Sequence, residues 1–421
     1  MKLKIFIIVF IQLYIFSSFA QDLERVQKNI SILTSKKFHG RGAALNGDAL
    51  AAEYLAAQFK AIGLKPLTAD YYQSFTYGIN TFPGKMHLAS DKGSFKPGVD
   101  YIVRSTCGSG KGTFPLLYID SLIFTDKNVY ADFLKKDLSK VVVVYYKKHF
   151  KEFTESSIDL LKQLYSAAAI IELQDTKLTM GLADESYDTP FFEVLAAAFS
   201  KDIKTISFEV ENEVVSKHLA RNVIGYIEGS VKPDSFIVIT AHYDHLGTLG
   251  NKTYFPGAND NASGVSMLLE LAHYYSAYKP AYSMVFIAFA GEESGLIGSS
   301  YFVRKPTIEL AAIHFLINLD LLGTGDDGIM VVNGSVFKKE YNELVAINEK
   351  EQLLPAVKMR GEAANSDHYP FYKRKVPCFF IYTLGGIAAY HDVQDVAKTL
   401  PLTKYKEVFK LIVLFVEGQY F

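Results

Sequence analysis

The sequence predicts an α/β protein: a mostly parallel mixed sheet with helices on both faces, carrying a smaller inserted α/β module. Three observations predict it. From Asn222 onward, apolar strands alternate with amphipathic helices, as in a sheet buried on both faces. Between about Gly98 and Val215 the texture changes to a separate run of strands and helices. Ahead of both, residues 46–62 carry apolar side chains at helical spacing. At 421 residues the chain is too long for one ordinary compact domain. It divides into a signal segment (1–20), an N-terminal part of the main domain (21–97), the inserted module (98–215) and the main part of the domain (216–421).

Residues 1–20 read as a secretory signal. Lys2 and Lys4 precede an apolar run at 5–15, and Ser18-Phe19-Ala20 places small residues where a signal peptidase reads. The run is shorter than the ~20 apolar residues a membrane span needs, and no Cys follows it to take a lipid. Cleavage after Ala20 and export, periplasmic or secreted, are expected, with no stable membrane anchor afterwards. Asn46 can cap the start of the first helix and Gly63 its end. Within the module, strands are expected at 141–146, 168–173, 190–194 and 205–210, and a helix at 156–165. No cluster of ligand-type side chains falls there, so the module should support or cover a site rather than carry its chemistry. The main part reads as strands at 236–241, 284–290, 313–319, 329–332 and 376–383, with helices at 263–275, 295–303, 340–349 and 402–416. In such sheets ligands bind beyond the carboxyl ends of the strands.

Composition excludes some classes. Lys+Arg is 44 and Asp+Glu is 45, which leaves no basic footprint for nucleic acid. The two cysteines, Cys107 and Cys378, make no disulfide framework and read as packing residues in different domains. A monomer is the expected form.

The chemistry-bearing residues follow the strands. His242 and Asp244 come after 236–241, and Asp260 opens the next helix. Glu292 and Glu293 come after 284–290, Asp320 ends 313–319, and His391 lies in the loop after 376–383. Imidazole nitrogen and carboxylate oxygen are zinc ligands where Cys is absent, although cobalt or manganese can occupy such sites. Two zinc ions need about three protein ligands each, and one bridging carboxylate lowers the requirement to five residues. Five are available: His242, Asp260, Glu293, Asp320 and His391. Asp244, two residues beyond His242 in an extended segment, is placed to accept the second ring N–H of that histidine or to pack just beneath it. Glu292, beside the ligand Glu293, is placed to act as general base. A Glu-Glu pair also marks solvated helix starts, a reading weakened here by the buried strand end before it.

The segments at 241–247 (Ala-His-Tyr-Asp-His-Leu-Gly), 257–264 (Gly-Ala-Asn-Asp-Asn-Ala-Ser-Gly), 289–293 (Phe-Ala-Gly-Glu-Glu), 318–320 (Asn-Leu-Asp) and Tyr390-His391 match one pattern in order and spacing. They resemble the co-catalytic di-zinc metallopeptidases, the zinc-exopeptidase type. That family includes secreted bacterial leucyl-type aminopeptidases, glutamate carboxypeptidases and glutaminyl cyclases. The resemblance covers roughly residues 33–63 and 221 to the end. It implies two Zn2+ per chain, one held by His242, Asp260 and Asp320 and the other by Asp260, Glu293 and His391. Asp260 would bridge and Glu292 would be the base. Tyr390 matches a tyrosine that donates to the developing oxyanion in some relatives; among 27 tyrosines a packing role fits equally. The module is similar in position and texture to a protease-associated insertion. An aminopeptidase is the activity implied. A carboxypeptidase or dipeptidase would need a basic residue such as Arg360 or Arg374 for the substrate carboxylate. A glutaminyl cyclase pocket is built with Trp, which this chain lacks.

Other histidines carry no role in this scheme. His245 falls one residue off the ligand face. His39, His87, His149, His218, His273 and His314 read as structural or surface residues. Asp367-His368 either lines the substrate pocket or starts a helix with Asp367 as its cap.

Overall fold

The computed structural model describes residues 21–418; the signal segment lies outside them. The chain begins with helices Leu23–Leu33 and Gly47–Ile62. Gly63 ends the second with a left-handed backbone (φ 91°), as expected of a glycine stop. Asn46 does not cap it. Its own backbone is left-handed (φ 58°), not the extended form of a capping residue, and its side chain makes no capping hydrogen bond. Strands β1 (Lys65–Pro66) and β2 (Tyr72–Thr81) follow.

The chain then builds a second sheet. Its strands are β3 (Met86–Ser90), β4 (Gly93–Ser94), β5 (Tyr101–Val103), β6 (Gly110–Tyr118), β7 (Val142–Tyr146), β8 (Ala169–Gln174), β9 (Phe191–Leu195) and β10 (Thr205–Val210). They lie in the order β4-β3-β10-β6-β7-β8-β9-β5, with β6 to β9 parallel. This sheet starts at Met86, ahead of residue 98, where the texture of the sequence changes. The polar alternation of 86–94 looks the same in either sheet, and only pairing with β10 assigns it. Cys107 is buried here and Cys378 in the main domain, and both are free.

The chain returns on β11 (Glu213–Ile227), a long antiparallel partner of β2. Then come β12 (Lys232–His242), the short hairpin β13 (Thr248–Leu249) and β14 (Thr253–Tyr254), and β15 (Tyr282–Phe289). The last strands are β16 (Ile313–Leu319), β17 (Ile329–Val332), β18 (Val357–Met359) and β19 (Cys378–Thr383). The main sheet runs β1-β11-β15-β12-β16-β19-β17-β18. Its centre, β15-β12-β16-β19, is parallel, and β11 and β17 join it antiparallel.

Two-residue alternation explains why both faces are covered. Ile237, Ile239 and Ala241 face one core with Met284, Phe286, Phe315 and Ile317. Helices Gly47–Ile62, Gly264–Ala277 and Tyr405–Gly418 pack there. Val238, Val285, Ile287 and Leu316 face the other, beneath Phe302 of helix Ile297–Arg304 and Phe371 of helix His368–Lys373. Burial of each such side chain contributes about 1.5–3 kcal/mol. Leu246, Leu249 and Phe255, from the main-domain loop after β12, are buried in the core of the second sheet and dock the module beside that loop. Among the described residues no helix is long and apolar enough to cross a membrane.

Candidate metal centre

The carboxyl ends of the parallel strands converge on one cluster. His242 ends β12, Glu292 and Glu293 follow β15, Asp320 follows β16, and His391 lies in the loop after β19. Asp260 enters from the irregular turn Ala258–Ser263, before helix Gly264–Ala277. All five expected ligands come together. His242 Nε2 lies 3.4 Å from Asp260 Oδ1 and 3.4 Å from Asp320 Oδ1. His391 Nε2 lies 3.3 Å from Asp260 Oδ2 and 2.9 Å from Glu293 Oε2. Each oxygen of Asp260 therefore faces a different histidine.

Backbone locks hold Asp260 there. Asn259 N–H and Asp260 N–H both donate to the Asp395 carboxylate. Asn261 Nδ2 donates to Leu319 O, and its Oδ1 accepts from Gly264 and Leu321, which ties the turn to the Asp320 loop. Asn259 Oδ1 accepts from Gly323 N–H. The Asn-Asp-Asn run is thus a clamp whose outer side chains hold the middle one. At Gly257 (φ 60°) a Cβ would stand 2.1 Å from Asp260 O, so no side chain fits.

Arg41 is the residue that sequence reasoning missed. It is fully buried, and its guanidinium makes its hydrogen bonds to backbone. It donates to the carbonyls of Tyr243, Leu33, Pro256, Gly257 and Asp260. One side chain thereby fixes the loops that carry His242 and Asp260. Only a strongly polar residue at a position the fold buries could have flagged it, and burial is a tertiary fact. Gly257 O keeps the Ala262 N–H, but Arg41→Leu should leave the other buried carbonyls short of a donor, at about 1–3 kcal/mol each. A marked fall in melting temperature together with lower metal content is expected. Calorimetry and metal analysis check this, and an unchanged melting temperature would contradict it.

Two expectations change. Asp244 does not bring its carboxylate to the His242 ring, because Oδ1 is 4.0 Å from Nδ1. Its oxygens instead accept the Glu292 and Glu293 amides at 3.1 and 3.2 Å, and its backbone carbonyl lies 3.2 Å from His242 Nδ1. His245, set off the ligand face by strand alternation, is at the centre: its Nδ1 lies 2.6 Å from Glu293 Oε1. The reason is common to both. Strand β12 ends at His242, so the two-residue period does not extend to 244 and 245. The close groups are His242, Asp260 and Asp320, and His245, Asp260 and Glu293, with ligand atoms within 4.8 Å of one another.

The rest of the neighbourhood is as follows. Tyr390 is 52% exposed and stacks on His391 at 3.8 Å. Ser366 Oγ donates to Asp320 Oδ2 and accepts from Asn318. Asp367 makes no capping hydrogen bond, and His368 is buried against Phe380. His218, read from sequence as structural or surface, pairs with Asp48 at 2.5 Å.

Electrostatics favour a cation. Burial holds Asp244 up at about 7 and Asp320 above its ordinary range. Burial and the carboxylates of Glu293, Asp367 and Asp320 push Glu292 well up. Glu293 is lowered to about 2: burial and Asp260 raise it, but His391 and His245 outweigh them. Against the pull of burial, Glu293 and Asp260 raise His391 to about 11. Asp260 Oδ2, Asp320 Oδ1 and His391 Nε2 are buried with no well-aligned hydrogen bond, and what they face is other ligand-type atoms of the cluster. Buried polar atoms are nearly always paired, and buried charges are paired or coordinate metals. The donor set of nitrogen and carboxylate oxygen without thiolate suits zinc.

Fold and site define an α/β protein with two candidate metal-binding groups sharing one aspartate at the carboxyl edge of its sheet. Residues 222–416 match the model of Peptidase family M28. It is 37% identical over 111 residues to a probable zinc metalloprotease of Pyricularia oryzae, covering 25% of this chain and 22% of that one. It is 30% identical over 160 residues to aminopeptidase YwaD of Bacillus subtilis, covering 37% and 33%. The matches thus span about a quarter to a third of these relatives' length. The solved structure of BSAP, a zinc aminopeptidase from Bacillus subtilis, shares the fold over 94% of both chains, with a TM-score of 0.70 at 18% identity.

Proposed function

We propose that this protein is an exported zinc-dependent exopeptidase, an aminopeptidase that removes amino-terminal residues from peptides at a two-zinc centre. The observation that carries the reading is the position of Asp260, with one oxygen toward His242 and Asp320 and the other toward His391 and Glu293. His242, Asp260 and Asp320 would hold one ion, and Asp260, Glu293 and His391 the other. When bound, zinc polarises the scissile carbonyl and acidifies the attacking water. Glu292 belongs to neither group. Its carboxylate takes a proton from the water as oxygen adds to the carbonyl carbon, then delivers it to the nitrogen as the C–N bond breaks. Asp244 orients Glu292 and Glu293 through their amides. His245 holds one oxygen of Glu293, leaving the other for metal. Tyr390, at the rim, is a donor for the oxyanion.

The relatives named as aminopeptidases support the amino-terminal choice. Of the two arginines a carboxypeptidase could use, Arg374 lines a cavity with Leu310, Ile313 and Pro377, at the opposite end of β16 from Asp320, while Arg360 donates to the Tyr382 hydroxyl at 3.5 Å. The test is a zinc-loaded incubation with peptides bearing free or acetylated amino termini, followed by mass spectrometry. Loss of single residues from free amino termini alone is expected. Loss from carboxyl ends would move the assignment to carboxypeptidase, and absence of cleavage with metal bound would remove the peptidase reading.

A further inference from the structure

The loop that carries His391 is anchored in the main domain at its two ends. Leu384 exchanges backbone hydrogen bonds with Asp327 and Gly328, and Asp395 O accepts from Ala258. Between these anchors Ile387 packs on the main core, and the residues around His391 meet the inserted module. Lys177 Nζ donates to Ala388 O at 3.0 Å and to Tyr390 O at 2.5 Å, and lies 3.7 Å from Asp392 Oδ2. Met180 N–H donates to His391 O at 3.4 Å, and His391 Nδ1 lies 2.8 Å from Met180 O. A carbonyl can only accept, so this contact keeps a proton on Nδ1 and leaves Nε2 as the nitrogen that faces Asp260 and Glu293. His391 has a left-handed backbone (φ 55°), uncommon outside glycine, which external contacts must hold. The holding segment is rigid in turn, since Leu178 and Met180 are buried in the module's core.

We propose that the module is a positioning element of the metal centre. Residues 177–180 set the tautomer and orientation of His391, so that occupancy of the His391 half depends on the docked module and that of the His242 half does not. This rests on the reading of His391 as a ligand. Partners that orient a ligating histidine typically change metal affinity by about 10–100-fold. Coupling of this kind is reciprocal, so filling that half-site should also tighten the module's contact.

The test titrates the full chain with zinc against a competing chelator. In Lys177→Met the second zinc is expected to bind about 10-fold or more weakly, with the first unchanged; general destabilisation would weaken both. His391→Ala serves as the reference and is expected to bind one zinc. If His391→Ala keeps two, the ligand assignment falls and this inference with it. If it keeps one while Lys177→Met binds two at unchanged affinity, the assignment stands and the clamp alone is wrong. Hydrogen exchange on the unmodified protein gives a second reading independent of any variant. The Met180 amide should gain protection as the second zinc binds, and identical exchange before and after would overturn the link.

Discussion

Glu292→Gln is expected to keep two zinc ions per chain and to lose about 10²- to 10⁴-fold in kcat, the usual range for removing a positioned general base. At 1.36 kcal/mol per decade, that is about 3–5 kcal/mol of transition-state stabilisation. Glutamine keeps the shape of the side chain but cannot take a proton. Ligand geometry should survive, because Glu292 belongs to neither ligand group and its link to Asp244 runs through the main-chain amide. KM should change little. Steady-state kinetics beside metal analysis separate the cases. A variant that retains more than a tenth of its turnover removes Glu292 as the base, and one that loses a metal makes it a ligand.

Asp260→Ala should lose both metals rather than one. Its two oxygens face different histidines, so no other single substitution removes a donor from both groups. The side chain faces His242 and His391, and the clamp through Asn259, Asn261 and Asp395 uses neighbouring side chains and main-chain amides. The fold should therefore persist. In the unmodified protein, zinc at about 100 times its dissociation constant adds about 2.7 kcal/mol of stability for each site. The variant should show no such gain. Metal analysis and thermal melts with and without zinc test this together; two ions retained per chain would end the shared-ligand assignment.

Much of the fold was legible in sequence because period and hydrophobicity report burial directly. Strands β16 and β17 fall at the residues their apolar runs predict, as does β10 in the module. The long pairing of β2 with β11 was not legible. Its exposed positions dilute the apolar signal, and its partners are separated by the whole second sheet. The five candidate ligands were legible because parallel strands must end on one edge, so acids and histidines placed just after strands must meet.

Sequence alone thus determined the α/β class, the separate module and the set of side chains with the chemistry to bind metal. Tertiary structure decided how they are held. His245 reaches Glu293 because the chain leaves the strand at His242, where alternation ceases to predict direction. Arg41 matters through five backbone carbonyls, and Met180 through one. Every residue has a carbonyl, so no choice of residue type marks the one that will orient a histidine; only folding brings it there.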